Sequence, residues 1–436
     1  MKHKITSFLL IFCALFCFNS FAQQDSVHKG KTGKRILGGT IIRVSDTVWY
    51  RIYNPEQGYF QKANFDKGDP RFMVANENQT FKFGIGGYVR VVGFSDFNGS
   101  IPDNDFVTSL IPIPTIHYGQ FRIFVNQSRL NFKVVGRIKE HTIVSFIEAN
   151  FAGTNNAFKL RHAYVSFLGL TVGQTWTTFM DLQAGPPTID GEGPNNQIAI
   201  RPPMIRYTYY YKDKFQVAVA AEMAEVLMQD FPAAPFKVYN QPQRVPDFAA
   251  HLKYQGKFGH VQLGAVFRMM NHGDSTQTKK SIFVPGGGVA LSGTFNLWKQ
   301  SMLYYQLNGG KGIASYIQDL SIFNVDLLPT FSGTQKMNTV WMYGGYLGLQ
   351  QYWTKKVHSN IVYGITRLET PKNDPGYFEK YVPWYYKYGQ YLAINTIWNF
   401  FDFASTGIEL VWGERVNLNG DKGHAHRVNL LLQYDF

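Results

Sequence analysis

Six basic residues each sit one position from a strongly apolar neighbour. Arg90 lies between Val89 and Val91, Arg129 and Lys133 flank Leu130 and Phe132, Arg161 follows Leu160, Arg206 follows Ile205, and Arg268 follows Phe267. In an extended chain successive side chains point to opposite faces, so each cation faces away from its greasy neighbour. A guanidinium is planar, permanently charged and able to grip a carboxylate with two parallel hydrogen bonds. Several such groups around water would gather small anions. Three acids, Asp181, Asp190 and Glu192, fall in one irregular stretch with Gly185-Pro186-Pro187, Gly193-Pro194 and Arg201-Pro202-Pro203. Gly and Pro there fix turns and forbid a regular element. Two readings stand side by side: the arginines line a passage for anions, or they pair with Glu148, Asp181, Asp190 or Glu192 and hold this stretch in place.

Other chemistry has less support. Both cysteines, Cys13 and Cys17, fall in an apolar run at the amino terminus that reads as a secretory leader, residues 1–22, with Lys2 and Lys4 before it and Ser20-Phe21-Ala22 as its cleavage site. The exported chain then has no thiol for disulfides, thiolate catalysis or zinc. The eleven His residues are scattered, and no nucleophile oriented by His emerges from their spacing. His424-x-His426 places two imidazoles on one strand face but suggests no third ligand. The expectation is no enzyme, no metal and no cofactor.

A basic face of this kind needs strands to carry it. At the carboxyl terminus Phe436, Tyr434, Leu432, Leu430 and Val428 alternate with Asp435, Gln433, Leu431, Asn429 and Arg427, a period of two with one greasy face. Such a last strand, ending in an aromatic, resembles that of a bacterial outer-membrane barrel. Charged residues are only 17% of the chain, below the roughly 25% usual for soluble domains. Aromatics reach 16%, and no stretch after residue 22 holds the roughly 18 apolar residues of a membrane helix. The formal charge is +13, or +11 once Lys2 and Lys4 are removed. Because the positive residues recur singly within strands, they point to a lumen lined for anions and away from a nucleic-acid partner.

Alternation predicts sixteen strands near 81–92, 121–135, 142–151, 158–168, 170–178, 204–211, 215–222, 247–256, 259–270, 286–298, 301–310, 338–353, 357–368, 386–400, 403–415 and 424–436. Their connections alternate between short turns, such as Leu168-Gly169 and Lys299-Gln300, and mostly long loops, such as 93–120, 179–203 and 311–337. Turns on one rim and loops on the other describe a transmembrane antiparallel β-barrel with its turns in the periplasm. Trp298, Trp353, Trp384 and Trp398 suit its interface girdles. The domain expectation is leader 1–22, a periplasmic segment 23–76 and a barrel 77–436. Loop 179–203 follows the fifth strand, the third outer loop, where general porins fold a loop inward to narrow the pore.

Leu160-Arg161-His162-Ala163-Tyr164, then Gly173-Gln174-Thr175-Trp176-Thr177-Thr178-Phe179-Met180-Asp181 and Pro187-Thr188-Ile189-Asp190-Gly191-Glu192-Gly193-Pro194, resemble the trimeric DcaP-like porins of Gram-negative outer membranes. The match is specific over about 128–206, including Ser128-Arg129 and Ile205-Arg206-Tyr207-Thr208. The resemblance implies a sixteen-stranded barrel, a homotrimer among outer-membrane lipid and lipopolysaccharide, and passive uptake of dicarboxylate-like anions through an arginine-lined eyelet. Residues 23–76 lack the heptads of the coiled coil that this family often carries before its barrel. The alternative is a barrel that serves as adhesin or as part of a polymer-binding uptake system, which the Tyr- and Phe-rich loops 223–246 and 369–385 would favour.

Overall fold

Val89, Leu160, Ile205 and Phe267, the greasy neighbours of the arginines, are 49%, 48%, 58% and 48% exposed, whereas Arg161, Arg206 and Arg268 are 8%, 7% and 0% exposed. This inversion, apolar out and polar in, repeats along every long strand. It is the arrangement that alternating residues must take when the outer solvent is lipid.

The computed structural model describes residues 72–76, 80–101, 103–139, 141–212, 214–229, 239–273, 281–298, 300–329, 337–370 and 375–436. The leader 1–22 and the segment 23–71 lie outside them. Among the described residues sixteen antiparallel strands form one closed sheet. The first half comprises β1 (Phe81–Asn98), β2 (Gln120–Phe124, resumed at Arg129–Ile138), β3 (His141–Asn150), β4 (Lys159–Phe167), β5 (Leu170–Gln174), β6 (Pro203–Tyr211), β7 (Phe215–Glu222) and β8 (Asp247–Gly256). The second half comprises β9 (Gly259–Gly273), β10 (Ser281–Trp298), β11 (Ser301–Lys311), β12 (Trp341–Tyr352), β13 (Val357–Leu368), β14 (Tyr386–Phe401), β15 (Ala404–Asn417) and β16 (Lys422–Asp435).

Pairing of β16 with β1, from Tyr88↔Asp435 to Asn98↔His426, closes the ring. Phe436 exchanges backbone hydrogen bonds with Gly87 at 3.0 and 3.1 Å, and there the last strand runs out. A short lead strand, Phe72–Ala75, then pairs with Lys82–Ile85 of β1 and occupies the edge left below Phe436. The sheet therefore takes in residues ahead of the expected start at 77. The turn between β4 and β5 is tight because Leu168 and Gly169 both have positive φ, 51° and 82°, which matches the twist of the flanking strands. Rings pack side by side at the turn rim: Phe215, Tyr254, Phe258, Phe295 and Tyr305 follow one another with centres 4.8–6.0 Å apart. Trp298, Trp353 and Trp398 stand exposed at the same rim, as a girdle requires.

Apolar packing also fills part of the interior. Loop 175–202, between β5 and β6, folds inside the barrel and packs Trp176, Phe179, Met180 and Ile198 against Ile313, Tyr316, Ile317 and Leu320 from the connection after β11. Ile101, Phe106 and Ile111, from the connection after β1, pack on Tyr391, Ala393 and Val411 of the wall. Leu431, an apolar residue on the largely polar inner face of the last strand, clusters with Ile189 of the inward loop.

Candidate functional site

The inward loop is fastened most heavily along one half of the ring, from β7 round to β15. Glu222 of β7 accepts from Thr177 Oγ1 and the Thr178 amide at 2.5 and 2.6 Å. Gln306 and Asn308 of β11 donate to the Asn196 carbonyl at 2.8 and 2.9 Å, and Asn395 of β14 donates to the Pro187 carbonyl at 3.0 Å. Glu409 of β15 accepts from the Ile189 and Asp190 amides at 2.9 and 2.6 Å. Glycines let the loop lie flat on this wall: a Cβ on Gly344 would stand 2.7 Å from Asn196 Nδ2, and one on Gly364 would stand 2.6 Å from Asn195 Oδ1. In a ring of sixteen, β11 lies opposite β3, so the loop faces the wall of β2–β4.

That wall is basic. A bulge in β4 leaves Arg161 without a partner across the ladder, since Glu148 of β3 pairs with His162 and Ala149 with Leu160. The extra residue turns Arg161 and His162 to the same interior side, and both are buried. Glu148 Oε1 accepts from Arg161 Nε at 2.9 Å and lies 3.3 Å from Arg129 Nη1 of β2. Lys133, further along β2, is also buried inside. The Arg129 guanidinium lies 5.1 Å from the centre of the Tyr88 ring.

Trp176 joins the wall to the two ends of the inward loop. Arg201 lies 4.1 Å from its ring centre and Arg161 6.0 Å, a pairing favoured by the ring quadrupole. Arg206 of β6 donates to the Trp176 carbonyl at 3.3 Å, and His162 lies edge-on to the indole at 5.7 Å. Arg90 of β1 donates to the Ile189 carbonyl at 2.5 Å and to Gln433 at 2.9 Å. To Arg90 and Arg206 the loop thus offers backbone carbonyls.

The loop acids are engaged elsewhere. Asp181 lies 3.0 Å from Lys253 of β8 and 2.7 Å from His260 of β9, and accepts from Ser292 at 3.0 Å. Burial alone would raise its carboxyl, but His260 and Lys253 outweigh burial and hold it below the usual range. Asp190 accepts from the Phe106 amide at 2.8 Å and Tyr391 at 3.2 Å, and Glu192 accepts from Gln318 at 2.7 Å. Arg268 also sits apart from the basic wall. It binds Asp247 at 2.9 Å and Asp326 at 3.0 Å, donates to the Gly312 carbonyl and Ser315, and is wholly buried. These contacts pin the connection after β11. Arg427, from the polar face of the last strand, does similar work for the connection after β1, with Asp96 at 2.6 Å and the Asn104 and Asp103 carbonyls.

The alternation that picks out Arg129, Arg161 and Arg206 does not pick out Arg201 or Trp176. The only signal for Arg201 is its place just before Pro202-Pro203, where the loop rejoins the wall. Among the described residues no group of three or more His, Asp or Glu side chains is arranged to hold a metal, and His424 lies 3.5 Å from Glu414 on the outer face.

The model of the DcaP outer membrane protein family matches residues 64–436. The chain belongs to this family. The crystal structure of the outer membrane channel DcaP of Acinetobacter baumannii superposes with a TM-score of 0.70 at 19% identity, over 83% of this chain and 99% of that one. An anion-selective porin from Comamonas acidovorans matches at 0.53 and 11% identity, over 82% of this chain and all of the other. Salmonella typhi OmpF, in complex with daunomycin, matches at 0.54 and 11%, over 83% and 100%. At these identities the likeness is one of fold. No curated protein matches the chain. Family and fold together make this DcaP-family chain an outer-membrane barrel of the channel and porin type.

Proposed function

We propose that this protein is a passive, anion-preferring diffusion channel for small carboxylate-bearing solutes, exported by its leader 1–22 and assembled as a homotrimer. The carrying observation is the convergence of Arg129, Arg161, Arg201 and Arg206 about Trp176 and Glu148, while Asp181, Asp190 and Glu192 are bound to other partners. A concentration of one sign of charge inside low-dielectric walls raises the local concentration of counter-ions. Fixed guanidinium forks then suit planar carboxylates, and the solute passes without any bond being made or broken. Lys133 adds charge on the inner side of the same wall. A porin of this fold from Comamonas acidovorans is named anion-selective, and one Vibrio cholerae OmpT structure is of a trimer form, which supports both parts of the reading. The segment 23–76 is read as periplasmic apart from the lead strand Phe72–Ala75, which joins the sheet beside the start of β1 at the turn rim.

Replacing Arg129, Arg161 and Arg206 together by Gln removes three charges and keeps hydrogen-bonding capacity. Succinate flux into liposomes is then expected to fall about tenfold, the scale of electrostatic focusing, with much less change in glucose flux. Equal losses for succinate and glucose would overturn the proposal, because they would mark a change of pore size alone.

A further inference from the structure

We infer that Glu148 sets the strength of anion preference, by cancelling one charge of the arginine pair that it bridges. The inference rests on the diffusion-channel reading above. A single oxygen, Oε1, meets Arg161 Nε at 2.9 Å and Arg129 Nη1 at 3.3 Å. The side chains of Arg129, Arg161 and Glu148 are only 11%, 10% and 3% exposed, so their charges interact at short range with little water between them. Glu148 is also held firmly: its backbone lies in the ladder between Asn131 of β2 and His162 of β4. An acid carried on a strand keeps its place when the inward loop moves.

The arrangement has a use in conduction. A channel must bind its solute well enough to draw it in and weakly enough to let it leave. Two adjacent guanidiniums without a counter-charge would hold a dicarboxylate as a clamp. With Glu148 between them the trio carries one net positive charge, which attracts an anion while the carboxylate competes for the same donors. Glu148 is thus a specificity-determining residue of the passage, acting in the opposite direction from the arginines around it.

The test compares single channels of the full-length protein with Glu148→Gln. The anion-to-cation permeability ratio from zero-current potentials in a dilute KCl gradient should rise about threefold, an effect that salt then screens. Succinate should also interrupt the current for longer in the variant. In the double variant Glu148→Gln/Arg161→Gln the trio again carries one positive charge, so the ratio should return to the wild-type value. If wild type prefers anions and Glu148→Gln leaves the ratio and the succinate interruptions unchanged, this inference fails while the channel reading survives. If wild type prefers cations, the channel reading fails, and a rise in Glu148→Gln would still support the role of Glu148. Should Glu148→Gln not fold, the double variant is compared with Arg161→Gln alone. The double variant must then be the more anion-selective of the two, and equality overturns the inference.

Discussion

Arg161 and Arg268 have the same surroundings in the sequence, each following an apolar residue in an alternating stretch, and the structure gives them different work. Alternation decides which face a side chain takes, because an arginine left on the lipid face near mid-membrane costs about 2–4 kcal/mol. It does not decide what the side chain meets once inside. Arg161 meets Glu148 on the neighbouring strand, whereas Arg268 meets Asp326, which arrives from a long connection. Only the folded loop makes that partner available, so no local pattern reports it. The difference is measurable. Arg268→Gln leaves Asp247 and Asp326 buried without their guanidinium, a loss of roughly 3–5 kcal/mol for a broken buried pair. We expect a lower thermal unfolding temperature and faster proteolysis between Gly312 and Pro329, with ion selectivity close to wild type. A large loss of anion preference in Arg268→Gln would return this residue to the passage.

At the scale of elements, the strands were legible and the docking of the loops was not. Sixteen alternating stretches gave sixteen strands because lipid outside and polar contacts inside act on every second residue. The position of loop 175–202 after the fifth strand indicated its inward course. Its contacts could not be read, since they depend on Gly344 and Gly364 flooring the opposite wall and on Glu222 and Glu409 of distant strands; nor could the contacts of Asp105, Glu192 and Asp319, which belong to three separate connections. Those carboxylates also predict a pH dependence. Burial pushes Asp319 up to about 6, although it accepts from Thr108 and the Ser109 amide, and burial with nearby Asp190 and Asp103 pushes Asp105 up to about 7. Burial, with Asp105 beside it, also holds Glu192 well above the usual range. A carboxyl raised in this way keeps protons when docked that it would release when undocked. Docking is therefore favoured most below the ordinary carboxylate value of about 4, and it weakens as pH rises through about 6 to 7. Amide hydrogen exchange in 103–111 and 314–321, corrected for the intrinsic pH effect, should show more protection at pH 5 than at pH 8. Greater protection at pH 8 would contradict this assignment of the docking acids.

For the whole molecule, closure fixes everything else. Because β16 pairs with β1 and Phe436 with Gly87, each strand keeps one face toward lipid and one toward the lumen, and the cations of alternate positions are collected inside. The excess of positive charge legible in the sequence becomes a field only when the ring places Arg129, Arg161 and Arg206 on one wall with the loop opposite. Selection of anions by this field is what the proposed function requires. The most direct measurement is the zero-current potential of the unaltered protein in a planar bilayer, under a tenfold KCl gradient held at or below about 0.1 M, where charges act over a Debye length of about 10 Å or more. The expected potential has the sign of chloride permeation and shrinks toward zero as salt is raised at both sides with the gradient kept. A potential with the sign of potassium permeation would contradict anion selection.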